Sequence, residues 1–237
     1  MMMLKIIFLL MLSFNINANT LVLIGGGDRP KEALFAFLAA AKIGPIFVLP
    51  WGTDYPEESF SIIKSELQKL GASDIRCFCQ EQFDAKDFSA LSSAGGIYFP
   101  GGDQNKIMQR ILKNKLKVLI RELYEKGVPI AGTSAGTAIQ SNPMLTGVES
   151  ETSEGLGLFD HFIVDQHFLV RNREGRLITA LQQFPKHNGL GIDESMSVVV
   201  ENSKKITALG PSVVCLYLRK KNNLKKIKLT NLQKIEL

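Results

Sequence analysis

The stretch that most restricts how this chain can fold runs from Gly127 to Ser141. Its apolar run Val128-Pro129-Ile130-Ala131 stops at Gly132, Ser134 stands in a Gly-x-Ser-x-Gly frame, and Thr137-Ala138-Ile139-Gln140 is compatible with a helix. A strand that turns at once into a helix, with a serine on the corner, is the layout of a nucleophile elbow. Gly132 and Gly136 suit that corner because the serine occupies a strained backbone conformation, and β-carbons on its neighbours would clash in so tight a turn. A helix N-terminus behind the serine favours the negative charge that develops during acyl transfer. Small residues also surround serines in ordinary loops, so the meaning of the motif depends on what the rest of the chain brings beside it.

Upstream, the chain alternates apolar runs with amphipathic ones. Leu21-Val22-Leu23-Ile24 ends in Gly25-Gly26-Gly27-Asp28 and is followed by a helical pattern over 30–41, with Pro30 where a first turn tolerates it. Ile46–Leu49, Ile75–Cys79 and Gly96–Phe99 read as further strands, and 55–70, 85–91 and 106–126 as helices. Strands alternating with helices predict an α/β fold: a mostly parallel central sheet with helices on both faces. Downstream, 142–159 is polar and glycine-spotted and reads as a loop beside the elbow. Strands at 206–209, 213–219 and 224–229 predict a small antiparallel C-terminal extension at one sheet edge. A chain of 237 residues suffices for one sizeable α/β domain, and 45% apolar with 22% charged residues excludes a disordered chain. No repeat or linker divides it, so 20–237 is expected to form one domain.

The first 19 residues stand apart. Lys5 precedes the apolar run Ile6–Phe14, then polar residues with Ala18 among them. This is the order of a secretory signal peptide with cleavage near Ala18, and the run is too short to span a bilayer comfortably. Export to the periplasm or the exterior is therefore expected, with no stable membrane anchor after cleavage. Cys77, Cys79 and Cys215 lack the spacing of a zinc site. They read as buried thiols, with a disulfide from Cys215 to one of the pair left open. No metal or other cofactor is expected. The net charge of +5 comes largely from C-terminal lysines such as Lys220, Lys225, Lys226 and Lys228. No aromatic residues interleave with them as a nucleic-acid stacking platform requires, so they read as a solvated hairpin edge and no nucleic-acid partner is expected.

Three glycine-marked turns, after Ile24, Phe99 and Ala131, fall at carboxyl ends of predicted parallel strands, where functional turns gather. The triple glycine lacks the lysine and hydroxyl residue of a phosphate loop and the dinucleotide fingerprint. Gly101 and Gly102 read either as helix-entry residues or as backbone N–H donors facing an oxyanion opposite the N–H of Ala135. Of the three histidines, His167 alone ends an apolar strand; Asp165 and Gln166 precede it, and Arg171, Arg173 and Arg176 follow. A serine needs a base, and three closely spaced arginines form either an exposed face or a carboxylate-binding ring. Asp193 or Glu194 could hold the imidazole in its productive tautomer, and on an extended chain only one of them can point at it.

Gly-Gly-Gly-Asp at 25–28, Gly-Gly-Asp-Gln at 101–104, Gly-Thr-Ser-Ala-Gly at 132–136, Asp-Gln-His-Phe at 165–168 with its arginines, and Gly-Ile-Asp-Glu at 191–194 together resemble the serine peptidase family of cyanophycinase and the aspartyl dipeptidases. The resemblance implies a fold like that of class I glutamine amidotransferases. It also implies Ser134 as nucleophile, His167 as base, Glu194 as orienting acid and the N–H groups of Gly102 and Ala135 as oxyanion donors. Gln104, Asp165, Gln166, Arg171, Arg173 and Arg176 would form the substrate-facing set, with Asp165 available to a guanidinium. The implied partner is a peptide or a cyanophycin-like polymer, polyaspartate with arginine branches, cleaved to β-aspartyl-arginine dipeptides. The segment between Ser134 and His167 is trimmed, which makes a short aspartyl or isoaspartyl peptide the alternative substrate. A non-catalytic acidic-peptide-binding relative is a further alternative, and a homodimer is one assembly open to the chain. A glutamine amidotransferase is disfavoured because that fold uses a cysteine where this chain has Ser134.

Overall fold

The computed structural model describes residues 18–220 and 223–237; the expected signal peptide lies, apart from its last two residues, outside the described residues. Leu21-Val22-Leu23-Ile24 is buried along its whole length, and its side chains alternate between two cores. This is why the run shows no polar alternation: a strand covered on both faces is apolar throughout. It is β1 (Thr20–Ile24), the centre of an eight-stranded sheet. On one side β5 (Ile130–Thr133), β4 (Gly96–Phe99), β2 (Ile46–Val48) and β3 (Ile75–Cys77) follow in parallel. On the other, β10 (Ser197–Glu201), β11 (Lys205–Leu209) and β14 (Lys234–Glu236) are antiparallel. The expected parallel α/β core is present.

Helices cover both faces. α1 (Lys31–Ala40) and α2 (Pro56–Lys69) pack Phe37, Leu34, Ile63 and Leu67 against Val22, Val48 and Tyr98. α3 (Ala85–Ser92), α4 (Gln104–Lys113) and α5 (Lys117–Glu125) cover Leu21, Leu23, Ile97 and Phe99. Burying a leucine or phenylalanine of this kind contributes about 1.5–3 kcal/mol, so the two cores carry the fold. The single helix expected over 106–126 is two. Asn114 ends the first, and Lys115 has φ +56°, a left-handed residue that breaks the hydrogen-bond ladder.

A four-stranded sheet stands beside the first: β8 (Phe162–Gln166) parallel to β9 (Asn188–Ile192), then β12 (Val214–Lys220) and β13 (Asn223–Leu229) antiparallel. The C-terminal strands are antiparallel as expected, but they divide between the two sheets instead of extending one edge. β13 is the outer strand, and Lys225, Lys226 and Lys228 are exposed along it. One face of this sheet joins the larger core through Val164, Leu190 and Leu216; α7 (Glu174–Gln183) covers the other with Leu177 and Leu181. The stretch expected as loop contains a short hairpin, β6 (Met144–Leu145) with β7 (Thr152–Ser153). Cys77 and Cys79 are joined in a disulfide and Cys215 is a buried free thiol, which corrects the reading of the pair as thiols. Among the described residues no helix is long and apolar enough to cross a membrane, and no group of metal-ligating side chains is assembled.

Candidate active site

β5 runs into Ser134, which has φ +52° and ψ −109° and opens α6 (Ala135–Ala138). A non-glycine residue in such a conformation is strained, and the surroundings hold it there. The Ser134 N–H donates to the Ile24 carbonyl at 2.9 Å. Thr137 Oγ1 lies within 2.7 Å of the carbonyls of Ile24 and Gly132 and accepts the Ile24 N–H at 2.9 Å, so it latches the corner to β1. A β-carbon on Gly132 would run into the Gly136 carbonyl, and one on Gly136 into the Phe99 carbonyl. The glycines of the motif are therefore set by backbone contact.

Ser134 Oγ is 2.8 Å from Nε2 of His167, and Nδ1 of His167 is 2.5 Å from Oε1 of Glu194. Asp193 points elsewhere: its Oδ1 accepts the N–H groups of Leu169 and Val170 at 2.9 and 3.0 Å, and its Oδ2 the Ser212 hydroxyl at 3.3 Å. Of the two acids, Glu194 meets the imidazole and Asp193 ties down the turn that follows it. Burial lowers the His167 pKa below its ordinary value. Arg171 and Arg173 add to this, and the hydrogen bond and charge of Glu194 oppose it. The ring is thus neutral at pH 7, the form a general base requires.

The triple glycine supplies what the sequence reading left without a role. Three consecutive carbonyls from Ile24 to Gly26 each receive one segment of the site: Ile24 takes Ser134 N–H, Gly25 takes His167 N–H at 2.9 Å, and Gly26 takes Ser195 N–H, next to Glu194, at 2.8 Å. Gly26 has φ +130°, and a β-carbon there would overlap the His167 ring. The glycines let the backbone pass directly beneath the imidazole. Three glycines at the end of an apolar strand were the visible signal; the partner they make room for was not.

Gly101 lies against Ser134, with about 3.6 Å between the position of a Gly101 β-carbon and the serine Cβ. Gly102 has φ +129°, and among the described residues neither its N–H nor that of Ala135 donates a backbone hydrogen bond. Ala135 directly follows the serine, and Gly102 follows the glycine that touches it. Gln104 is buried, and its amide donates to the Leu145 carbonyl at 3.1 Å, tethering the β6–β7 hairpin.

The remaining residues of the expected substrate-facing set form two layers. Asp165 is fully buried, with Arg176 Nε at 2.7 Å from Oδ2 and Arg176 Nη2 at 2.5 Å from Oδ1. Oδ1 also accepts the Gln166 N–H at 2.9 Å. Its carboxylate is already occupied, which corrects its expected role as the partner of a substrate guanidinium. The other nitrogen of Arg176 reaches the carbonyls of Thr146 and Glu149 at 3.3 and 3.2 Å, so this arginine joins β8 to the hairpin loop. Gln166 is buried and accepts from Arg173 through both its backbone and side-chain oxygens. Burial first, and Arg176 and Arg171 after it, push the Arg173 pKa down to about 10 against the pull of Asp165. Arg171 differs: it is exposed and enters no ion pair among the described residues. It is the arginine of the three whose charge is free to meet a ligand. A cleft of about 610 Å³ opens between α4 and the hairpin, lined by Asp103, Lys106, Thr146, Glu151 and Glu154 among others; Ser134, His167, Glu194 and Arg171 are not part of its lining.

A serine held at positive φ on a strand–helix corner, an imidazole at 2.8 Å and a carboxylate beyond it define a serine hydrolase on an α/β sheet. Residues 54–208 match the model of peptidase family S51, and the chain belongs to that family of serine-type peptidases. It is 31% identical over 218 residues to the cyanophycinase of Nostoc sp., covering 84% of this chain and 73% of that protein. It is 30% identical over 217 residues to the cyanophycinase of Geminocystis herdmanii, covering 84% and 80%. The crystal structure of a peptidase from an acI-B1 actinobacterium superposes with a TM-score of 0.72 at 20% identity, over 95% of this chain and all of that one, and shows the same fold.

Proposed function

We propose that this chain is an exported peptidase of cyanophycinase type that hydrolyses aspartyl or isoaspartyl amide bonds through Ser134, His167 and Glu194. The hydrogen-bonded line from Ser134 Oγ through His167 to Glu194 carries the reading. Ser134 Oγ attacks the scissile carbonyl while His167 Nε2 takes its proton, and Glu194 stabilises the imidazolium. The oxyanion is met by the N–H groups of Gly102 and Ala135. His167 then returns the proton to the leaving amine, leaving Ser134 acylated, and water activated by the same imidazole releases the acid. Arg171 supplies a cation for a substrate carboxylate, with Arg173 and Arg176 held behind it.

Relatives called cyanophycinases at about 30% identity support a branched aspartyl polymer as substrate. The short β6–β7 hairpin, pinned at the rim by Gln104 and Arg176, supports the second reading, a peptidase of short aspartyl or isoaspartyl peptides. Incubating the mature protein with insoluble cyanophycin and with soluble β-aspartyl peptides separates the two. Release of β-aspartyl-arginine from the polymer, identified by mass, is the expected result; turnover of the soluble peptides alone selects the second reading. Export is supported by the leader pattern and by the Cys77–Cys79 disulfide, a bond that persists in oxidising compartments. N-terminal sequencing of the secreted protein should begin near Asn19; a mature protein that retains Met1 would contradict export.

A further inference from the structure

Behind the Gly101–Gly102 turn stands a second turn that no step of the proposed chemistry uses. After β2 the chain passes through Leu49-Pro50-Trp51-Gly52, and Gly52 packs back to back with Gly102. The Gly52 carbonyl occupies the space a Gly102 β-carbon would need, and it accepts the Asp103 N–H at 2.8 Å. A β-carbon on Gly52 would stand 3.0 Å from both the Asp103 nitrogen and the Gly101 oxygen. The two turns therefore move together or not at all.

Trp51 fixes the rear turn. Its side chain is fully buried, and its indole N–H donates to the Phe78 carbonyl at 2.7 Å. Phe78 sits between Cys77 and Cys79, which are joined to each other, and its N–H donates to the Val48 carbonyl at 3.0 Å. Phe78 stacks on Phe47 at 4.6 Å between centroids, and Phe83 meets Trp51 edge-on at 5.4 Å. A buried indole usually satisfies its N–H, but this one satisfies it on a carbonyl held by a disulfide bracket and an aromatic stack. The acceptor is rigid, and the residue after the indole touches the turn that faces Ser134.

We infer that Trp51 is a positioning residue for the oxyanion turn: the Phe78 carbonyl fixes the indole, the indole fixes Gly52, and the Gly52 carbonyl fixes Gly102 beside Ser134. The inference rests on the reading of Ser134 as the nucleophile. Oxyanion donors act through distances of a few tenths of an ångström and are worth about 10²- to 10³-fold in kcat. A slack turn therefore loses part of that factor while leaving ground-state binding alone.

Trp51→Phe keeps an aromatic ring and removes the N–H; Gly52→Ala leaves the tryptophan and pushes directly on Gly101 and Asp103. Each variant is compared with wild type for kcat and KM on β-aspartyl-arginine, and for the rate at which a fluorophosphonate labels Ser134, a reaction that also develops charge at the oxyanion position. The expected result is a fall in kcat and in labelling rate of about tenfold or more in each folded variant, with KM within about twofold. Labelling carries the test independently of the substrate. A wild-type chain that labels but cleaves no aspartyl amide overturns the substrate reading, and the slowed labelling of the variants still supports the positioning role. Folded variants that label and turn over within twofold of wild type overturn the inference, as does a rise in KM at unchanged kcat. If Trp51→Phe does not fold, Gly52→Ala decides by the same rates.

Discussion

His167 is held below its ordinary pKa chiefly by burial, and the direction of that shift has a consequence that can be measured. The folded protein resists protonating this ring. The neutral base therefore persists below the ordinary histidine pKa of about 6.5, and the acid limb of kcat/KM should lie under that value. The same shift makes the imidazole a liability to stability in acid, because below pH ~6.5 the unfolded chain takes up a proton that the folded chain takes up only at lower pH. Glu194 opposes the shift, so Glu194→Gln should move the acid limb lower still and reduce the plateau by about 10²- to 10⁴-fold. A limb that rises, or a plateau within a few-fold of wild type, would show that Glu194 does not act on His167. At this scale the sequence was informative about residue type and silent about contact. Serine, histidine and acid were visible, but the choice of Glu194 over Asp193 was not. The two acids lie past the end of β9 in a turn closed by the Met196 N–H on the Asp193 carbonyl at 3.2 Å, not on the extended chain expected. That turn sends Glu194 to the ring and Asp193 to the Leu169 and Val170 N–H groups.

The arginines show where an element's geometry overrides what a string of residues implies. Arg171, Arg173 and Arg176 are three cations within six positions, but β8 ends before them and α7 begins among them, which turns their side chains to different depths. Arg176 faces the buried Asp165 and the hairpin loop, Arg173 is taken by Gln166, and Arg171 is left outside. Arg176→Ala would remove both short guanidinium contacts of the buried Asp165, leaving it Arg173 at 3.6 Å and the Gln166 N–H, and should destabilise the protein by about 3 kcal/mol, read as a lowered midpoint in denaturant. Arg171→Ala should leave that midpoint within about 0.5 kcal/mol and raise KM for an acidic substrate. The opposite pattern would exchange the two roles. None of this was legible in the sequence, since pairing depth depends on the sheet that buries Asp165. The break at Lys115 escaped for a related reason: both halves carry a helical pattern, and a single left-handed residue leaves the apolar periodicity intact.

At the scale of the whole molecule, the parallel character of the sheet that holds β1, β5, β4 and β2 was readable, because continuous apolar runs describe strands buried on both faces; the order of those strands was not. The second sheet was not. β8 and β9 look like members of the main sheet in sequence, and their pairing with β12 and β13 is set by contacts far apart in the chain. That arrangement gives the site its form: the serine comes from one sheet, the histidine and acid from strand ends of the other, and the carbonyls of Ile24 to Gly26 join them. The site is therefore assembled at a seam between sheets, and Ser134 is proposed to attack aspartyl amides across that seam. Turnover of β-aspartyl-arginine by wild type and by Ser134→Ala, with the two proteins matched for fold by circular dichroism, decides whether it does. A loss of about 10⁴- to 10⁶-fold with the fold intact is expected; turnover retained in the folded variant would show that Ser134 is not the nucleophile.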